Sequence, residues 1–155
     1  MNWTLAIPEI VLAVMGLGIL IFGVLRKQDA ALLCTMFTIG AFLITGLLVL
    51  TRGAGIGYHG QFQTDAFAAF NKLLILSGAG LVTILALDYN RKQGISRFEF
   101  PVLMLFSVVG MMIMASASNL MTLYLGLELQ SLALYVLAAF ARDELRSSEA
   151  GLKYF

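Results

Sequence analysis

Gly126-Leu127-Glu128-Leu129-Gln130-Ser131-Leu132 lies in the middle of an apolar run from Asn119 to Ala141. The run is long enough to cross a bilayer as a helix, which takes about 20 residues. Glu128 lies about nine residues from one end, which is on the order of 13 Å deep at ~1.5 Å per residue. A carboxyl at such a depth costs several kcal/mol unless it is neutral, paired or beside water. The run therefore predicts a membrane-spanning helix with a functional carboxyl.

The composition of the chain predicts an integral membrane protein. Of its 155 residues, 60% are hydrophobic and only 12% are charged, about half the charged fraction of a soluble domain. The net charge of +1 says nothing about acidic partners, and nothing in the sequence predicts nucleic-acid binding. The single histidine, His59, and the lone cysteine, Cys34, form no metal-ligand cluster in the sequence, so no metal site is expected.

The apolar runs predict an all-α membrane protein with five transmembrane helices and the start of a sixth. The predicted spans are Thr4–Leu25, Ala30–Thr51, Ala66–Leu87, Phe100–Ala117 and Asn119–Ala141, and the sixth helix begins near Glu149. Ser116-Ala117-Ser118-Asn119 is the best turn between the fourth and fifth helices. No signal terminates the sixth helix, so we expect residues 1–155 to be a single transmembrane domain at the front of a longer protein.

The distribution of lysine and arginine predicts the orientation in the membrane. The links after the first, third and fifth helices carry seven basic residues, whereas those after the second and fourth carry only Arg52. The seven are Arg26, Lys27, Arg91, Lys92, Arg97, Arg142 and Arg146. Because basic residues are enriched in cytoplasmic loops, we expect the N-terminus outside and residue 155 near the cytoplasmic side.

A polar stripe runs along the predicted fifth helix. Tyr124, Glu128, Ser131 and Tyr135 recur at spacings of four, three and four, so they fall within about 60° of one another around the helix. Hydroxyls around a carboxyl can hold water and pass a proton by hydrogen-bond exchange. The alternative is that these groups only hydrogen-bond neighbouring helices. We favour a functional role for Glu128 and a structural role for Ser131 and the two tyrosines.

Three other charged residues lie within or close to apolar runs. Lys72 is roughly 10 Å into the third helix by helical rise, and its stem could reach outward towards Asp65 on the same face. We favour this anchoring role slightly over a place in a proton path. Glu9 is expected to be solvated or to cap a backbone group. Lys153 alone is interpreted as an interfacial lysine.

Two glycine patterns carry weaker predictions. Gly55-Ile56-Gly57-Tyr58-His59-Gly60 matches the spacing of a dinucleotide-binding fingerprint, but no strand precedes it and no βαβ unit follows. We interpret it as a flexible loop with His59 at the surface. Small residues such as Gly16, Gly18, Gly78 and Gly80 suit close packing of helices.

Several motifs resemble a known family of membrane subunits. The segment around Glu128, followed by Ser148-Glu149-Ala150-Gly151-Leu152-Lys153-Tyr154-Phe155, is similar to the chain N family of bacterial respiratory complex I, the NADH:quinone oxidoreductase. Ile7-Pro8-Glu9-Ile10 and Asp65-Ala66-Phe67 also resemble this antiporter-like family, which is similar to mitochondrial subunit 2. The resemblance covers the whole chain.

The resemblance implies a role in proton translocation coupled to electron transfer from NADH to quinone. Glu128 matches the family's fifth-helix glutamate, which pairs with a lysine on a later helix, and Lys153 matches a sixth-helix lysine. An opposite charge nearby favours each ionised form, so a change in pair geometry changes when a proton is released. Family members have more helices than this chain holds, so the resemblance implies the front part of an antiporter-like fold.

The resemblance also implies the setting of the chain. It would lie in the bacterial inner membrane among the other membrane subunits of complex I and would exchange protons. It would need no cofactor, because other subunits carry the flavin and iron–sulfur clusters and handle NADH and quinone. Two alternatives stay open, namely a subunit of a multi-chain cation/proton antiporter and a membrane scaffold without transport.

Overall fold

The computed structural model describes residues 3–26, 30–141 and 143–155, and of Trp3 it describes the backbone alone. These residues form the helices α1 (Ile7–Leu25), α2 (Ala30–Thr51), α3 (Ala66–Lys92), α4 (Glu99–Ala115), α5 (Leu120–Ala138) and α6 (Leu145–Tyr154). A short 3-10 turn, Trp3–Ala6, precedes α1. Between α2 and α3 lies an antiparallel hairpin of two strands, β1 (Gly55–Gly57) and β2 (Phe62–Thr64).

The long helices are apolar enough to cross a membrane. Within the described ranges, four candidate spans meet the requirements of length and hydropathy, namely Thr4–Leu25, Ala30–Thr51, Ala66–Lys92 and Leu120–Ala138. Helix α4 is also apolar but has 17 residues, fewer than the other four. The chain is therefore an all-α membrane protein, as predicted, with one short hairpin that the sequence did not indicate.

The helix ends differ from the predicted ones where polar residues continue a helix beyond its apolar part. Helix α3 extends past the predicted end at Leu87 to Lys92, and α6 begins at Leu145 rather than near Glu149. Helix α5 begins after Asn119, whose side chain accepts a hydrogen bond of 2.8 Å from the backbone N–H of Thr122. This cap explains why α4 and α5 separate at the predicted turn.

Helices α1 to α4 form a bundle with one apolar core. Helix α1 packs on α2 and α4, and α3 packs on the same two helices. Fully buried side chains from three of the helices fill the centre, and they include Leu12, Cys34, Leu105, Val108 and Met112. Helix α5 packs chiefly on α4 outside this bundle, and α6 packs on α5.

The segment with the fingerprint spacing forms the hairpin instead of a flexible loop. Strand β1 pairs with β2 from Gly55 opposite Thr64 to Gly57 opposite Phe62. Tyr58 and His59 turn the chain with positive φ angles of 54° and 57°, which non-glycine residues rarely adopt. Phe62 is buried, whereas His59 is exposed as predicted. The hairpin therefore closes one end of the bundle, next to the start of α3.

Candidate functional site

The orientation of α5 follows from its contact with α4. A Cβ atom built on Gly110 would lie 2.7 Å from the carbonyl oxygen of Gly126, and one built on Gly126 would lie 2.9 Å from the carbonyl oxygen of Gly110. The two backbones therefore cross with no space for a side chain between them. This crossing turns the Gly126 face of α5 towards α4.

The polar stripe lies on the opposite face of α5. At about 100° per residue, Glu128 is about 200° from Gly126 around the helix, and Tyr124, Ser131 and Tyr135 lie within about 40° of the direction opposite Gly126. Among the residues of α5, Gly126 and Ala133 are buried, and they lie two turns apart on the face towards α4. The stripe is thus directed away from α4 and away from the bundle.

Glu128 is half-buried in the middle of α5. Its carboxylate interacts with the hydroxyl of Tyr124, one turn earlier on the helix. Tyr124 itself is 56% exposed, whereas Ser131 and Tyr135 are half-buried. A carboxylate beside hydroxyls, in mid-membrane and open on one side, can accept a proton or a hydrogen bond from a partner that approaches that side.

The end of the stripe is covered by α6. The ring of Tyr135 contacts the ring of Tyr154 at a centroid distance of 4.9 Å and that of Phe155 at 5.3 Å. The buried Gly151 permits this approach because it has no side chain. A Cβ atom at this position would lie only 2.6 Å from the Cβ atom of Ala139. Helix α6 is therefore held against α5 at the end of the stripe near Tyr135.

Lys153 lies on the exposed side of α6. Its ammonium lies 2.7 Å from the carboxylate of Glu149, one turn earlier, and both side chains are more than half exposed. The structure thus joins Tyr124 to Glu128 and Lys153 to Glu149, but it shows no contact between these two pairs within the described residues.

The charged pair that the structure forms in the bundle is Glu9 with Lys72. The Lys72 ammonium lies 2.6 Å from Oε1 of Glu9, and the two side chains are 1% and 5% exposed. The expected pairing of Lys72 with Asp65 is wrong, because Asp65 caps α3 by accepting a hydrogen bond of 2.7 Å from the backbone N–H of Ala68. Glu9 is also not solvated as expected, since it is buried against α3.

The hairpin closes over this pair. The Lys72 ammonium lies 5.0 Å from the centre of the Phe62 ring, within the range of a cation–π contact. Phe62 is held in place by its pairing with Gly57 and by a bridge to Ala117. Three elements therefore meet at the pair, namely α3, the preceding strand β2 and the distant helix α1.

The sequence missed the pair although both of its residues were identified as charges near apolar runs. Counted from the predicted starts of the two spans, Thr4 and Ala66, Glu9 lies five residues in and Lys72 six residues in. Similar depth and opposite charge were a signal for a contact. The nearer Asp65 offered a competing partner, and the sequence alone could not reveal that its carboxylate is used as a helix cap.

Known proteins match the chain along its whole length. Residues 117–155 match the family model described as NADH:quinone oxidoreductase/Mrp antiporter, TM. The chain is 67% identical to NADH-quinone oxidoreductase subunit N of Granulibacter bethesdensis and 58% identical to that of Gluconacetobacter diazotrophicus, in each case over 100% of this chain and 33% of the relative. Identity to subunit N of Rhodospirillum rubrum is 47%, over 97% of this chain and 32% of the relative.

These matches confirm the resemblance that the motifs around Glu128 and Lys153 indicated. The chain spans about a third of the length of the curated relatives that it matches.

Proposed function

Since the chain is a homologue of NADH-quinone oxidoreductase subunit N along its whole length, we propose that it is a membrane subunit of NADH:quinone oxidoreductase. In this proposal it takes part in proton translocation coupled to electron transfer from NADH to quinone. The observation that carries the proposal is the 67% identity to subunit N over 100% of this chain. NADH oxidation and quinone reduction belong to other subunits, so this chain itself binds no cofactor.

Glu128 is the proposed proton-relay residue. It lies in the middle of a span of 19 residues, where an ionised carboxylate without a partner is unfavourable by several kcal/mol. The carboxyl therefore alternates between a neutral form and an ionised form that needs a cation or water at the open face of α5. Its contact with Tyr124 supports this role, because a neighbouring hydroxyl can stabilise the ionised form by donating a hydrogen bond.

The remaining members of the site have supporting roles in the proposal. Ser131 and Tyr135 continue the polar face towards α6, where they can order water beside Glu128. Lys153 is assigned a relay role at the end of this path, with Glu149 as its partner in the structure. Lys72 belongs to a separate part of the molecule, since its partner is Glu9 in the bundle.

The proposed partners are the other membrane subunits of the complex. In the described part of the chain, the face of α5 that carries the stripe is open except near Tyr135, where α6 covers it. Large apolar residues beside this face are exposed, including Met121 at 67% and Leu132 at 54%. A face that combines a carboxylate with exposed apolar residues suits protein–protein packing better than contact with lipid alone.

The proposed location is the bacterial inner membrane, with the N-terminus outside and residue 155 near the cytoplasm. The support is the placement of basic residues, because Arg91, Arg97 and Arg146 lie at one end of the helices and Arg52 lies at the other. Two of the seven basic residues that entered this prediction, Lys27 and Arg142, fall outside the described residues.

Two other functions stay open as alternatives. A subunit of a multi-chain cation/proton antiporter is supported by the description of the matching family model, which includes that class. The relatives named above all carry the name of the oxidoreductase subunit, which favours the first proposal. A scaffold without transport would use Glu128 merely to pair with a neighbouring cation.

Migration on a native gel tests the proposed complex directly. Membranes are solubilised mildly, separated, probed for this chain and stained for NADH dehydrogenase activity. We expect the chain to migrate with a very large active band, because a subunit stays with its complex. A smaller band without this activity would favour the antiporter or the scaffold.

Replacing Glu128 with glutamine tests the relay. Glutamine keeps the size and much of the hydrogen bonding but cannot take up a proton, so we expect NADH-driven proton pumping to fall by about tenfold or more. Pumping is measured in inverted membrane vesicles with a pH-sensitive dye, and assembly is measured on the native gel. Asp88→Asn is the matched control, since that carboxylate is 70% exposed and pairs with Lys92.

The two outcomes separate the candidate functions. Normal pumping by an assembled Glu128→Gln complex would rule out the relay role. Loss of assembly, with Asp88→Asn unaffected, would support the scaffold instead.

A further inference from the structure

A buried ion pair lies in the bundle of α1 to α4, apart from the polar stripe of α5. Its two members, Glu9 and Lys72, are 4% and 1% exposed. Removing two charges from water costs several kcal/mol for each ion, and their attraction offsets this only when the remaining polar atoms are also satisfied. The hydrogen bonds that the Glu9 carboxylate makes therefore indicate whether the ion pair has only a structural role.

The carboxylate of Glu9 is poorly satisfied for a purely structural ion pair. Oε2 is buried and has no hydrogen-bond partner among the described residues, and Oε1 faces Lys72 at 2.6 Å without the geometry of a regular hydrogen bond. A buried carboxylate can accept several hydrogen bonds, and native structures rarely leave such acceptors empty. Oε2 therefore has acceptor capacity that no described residue uses.

Other buried hydroxyls of the bundle and the hairpin region also lack hydrogen-bond partners within the described residues. These are the hydroxyls of Thr64 and Ser116 near the hairpin, of Thr38 and Thr45 in α2, and of Ser107 in α4. Thr64 and Ser116 lie in neighbouring segments, because the backbone N–H of Gln63, the residue before Thr64, donates a hydrogen bond of 2.9 Å to the carbonyl oxygen of Ser116. Buried water typically satisfies groups of this kind with about three hydrogen bonds each.

The hairpin separates this centre from water at its end of the bundle. The Phe62 ring lies over the ammonium of Lys72, and Phe62 is 6% exposed. Gly55, the first residue of β1, lies against Leu5 in the turn before α1. The contact is close, since a Cβ atom built on Gly55 would be 3.1 Å from the Leu5 side chain. The hairpin therefore contacts both chain segments that carry the pair.

We propose that Glu9 and Lys72 form a second proton-exchange site, which Phe62 closes at the hairpin end. An O–H bond forms on the Glu9 carboxylate while one O–H bond of a hydrated proton, H3O⁺, delivered along bound waters, breaks and leaves a neutral water molecule. Release reverses these steps, with Lys72 remaining an ammonium that stabilises the ionised carboxylate. The inference rests on the proposed function, because it assigns a further step to proton translocation.

The double substitution Glu9→Gln with Lys72→Met tests this site in the full-length subunit within the assembled complex. It removes both charges together, so neither is left buried alone. We expect NADH oxidation to continue while the protons moved per NADH fall by about twofold or more, because the exchange step is lost. The control is Asp88→Asn with Lys92→Met, which removes an exposed pair of the same chemistry.

The outcomes distinguish this inference from the proposed function. An assembled double variant with normal pumping would overturn the inference and leave the pair as a link between α1 and α3. Reduced pumping by this variant, with the exposed-pair control normal, would support it. Failure of the wild-type vesicles to pump when NADH is added would instead overturn the proposed function. The Glu128→Gln variant reports on the stripe separately.

Infrared spectroscopy decides the question if the double variant fails to assemble. Glu9→Asp keeps both charges and shortens the carboxyl side chain by one methylene. We expect the difference spectrum between NADH-treated and resting wild-type complex to contain a protonated-carboxyl band that shifts in Glu9→Asp. A spectrum unchanged by Glu9→Asp would overturn the inference without reference to pumping.

Discussion

Replacing Lys72 with methionine is expected to destabilise the chain by about 3–5 kcal/mol, the usual cost of leaving a buried charge without its partner. Methionine fills most of the volume of the lysine stem but leaves the Glu9 carboxylate buried without a cation. The packing of α1 against its neighbours should therefore weaken. The measurement is the midpoint of unfolding by sodium dodecyl sulfate in mixed micelles, followed by far-ultraviolet circular dichroism.

Two controls separate the charge effect from the loss of volume. Glu9→Gln combined with Lys72→Met should recover much of the lost stability, because the carboxylate is removed together with the ammonium. Lys92→Met should leave the midpoint unchanged, since that lysine pairs with Asp88 in solvent. A double variant no more stable than Lys72→Met would show that packing, and not the ion pair, determines the result.

Replacing Gly110 with alanine is expected to force α4 and α5 apart. The added Cβ atom would lie 2.6 Å from the backbone nitrogen of Gln130 and 2.7 Å from the carbonyl oxygen of Gly126, and backbone atoms cannot rotate out of the way. Overpacking of this kind costs about 1–3 kcal/mol, and a clash with backbone favours the upper end of that range. The same unfolding midpoint measures the effect.

The displacement should also affect the proposed site. The contact at Gly110 fixes the rotation of α5, so we expect proton pumping to fall in vesicles that carry Gly110→Ala. Gly78→Ala in α3 is the matched control, because a Cβ atom at Gly78 meets nothing within 4 Å in the described part of the chain. Equal unfolding midpoints for the two alanine variants would contradict the close crossing of α4 and α5.

The sequence predicted the helical membrane class because that class depends on apolar length. It predicted the start of α2 at Ala30 and of α3 at Ala66, and it located the turn before Asn119. It missed the last turn of α3, from Asp88 to Lys92, because those residues are polar. Hydropathy reports where lipid contact ends, whereas a helix continues as long as its backbone hydrogen bonds are made.

The sequence predicted close helix contacts but identified only part of them. Of the four glycines expected to suit packing, Gly16 meets a neighbour, since a Cβ atom there would lie 2.6 Å from the Leu105 side chain. Gly18, Gly78 and Gly80 face open space in the described structure. The backbone-to-backbone contact at Gly110 and Gly126 could not be inferred because helical spacing alone does not show which face meets another helix.

The candidate site was only partly accessible to sequence reasoning. Periodicity brought Tyr124, Glu128, Ser131 and Tyr135 to one face, which needs only the regular geometry of a helix. The pair of Glu9 and Lys72 depends on how two helices far apart in sequence pack, and periodicity within either helix contains no information about that. The proposed functions of both groups remain predictions for the experiments above.

The pair between α1 and α3 has a consequence for the biosynthesis of the chain. Ribosomes make α1 before α3, so Glu9 reaches the membrane before Lys72 has been synthesised. Until α3 follows, the Glu9 carboxyl has no ammonium as a counter-ion. It is then stable only as the neutral acid or where the insertion machinery exposes it to water. Insertion of α3 then fixes α1 in place, so the first helix of the chain reaches its final environment only when the third arrives.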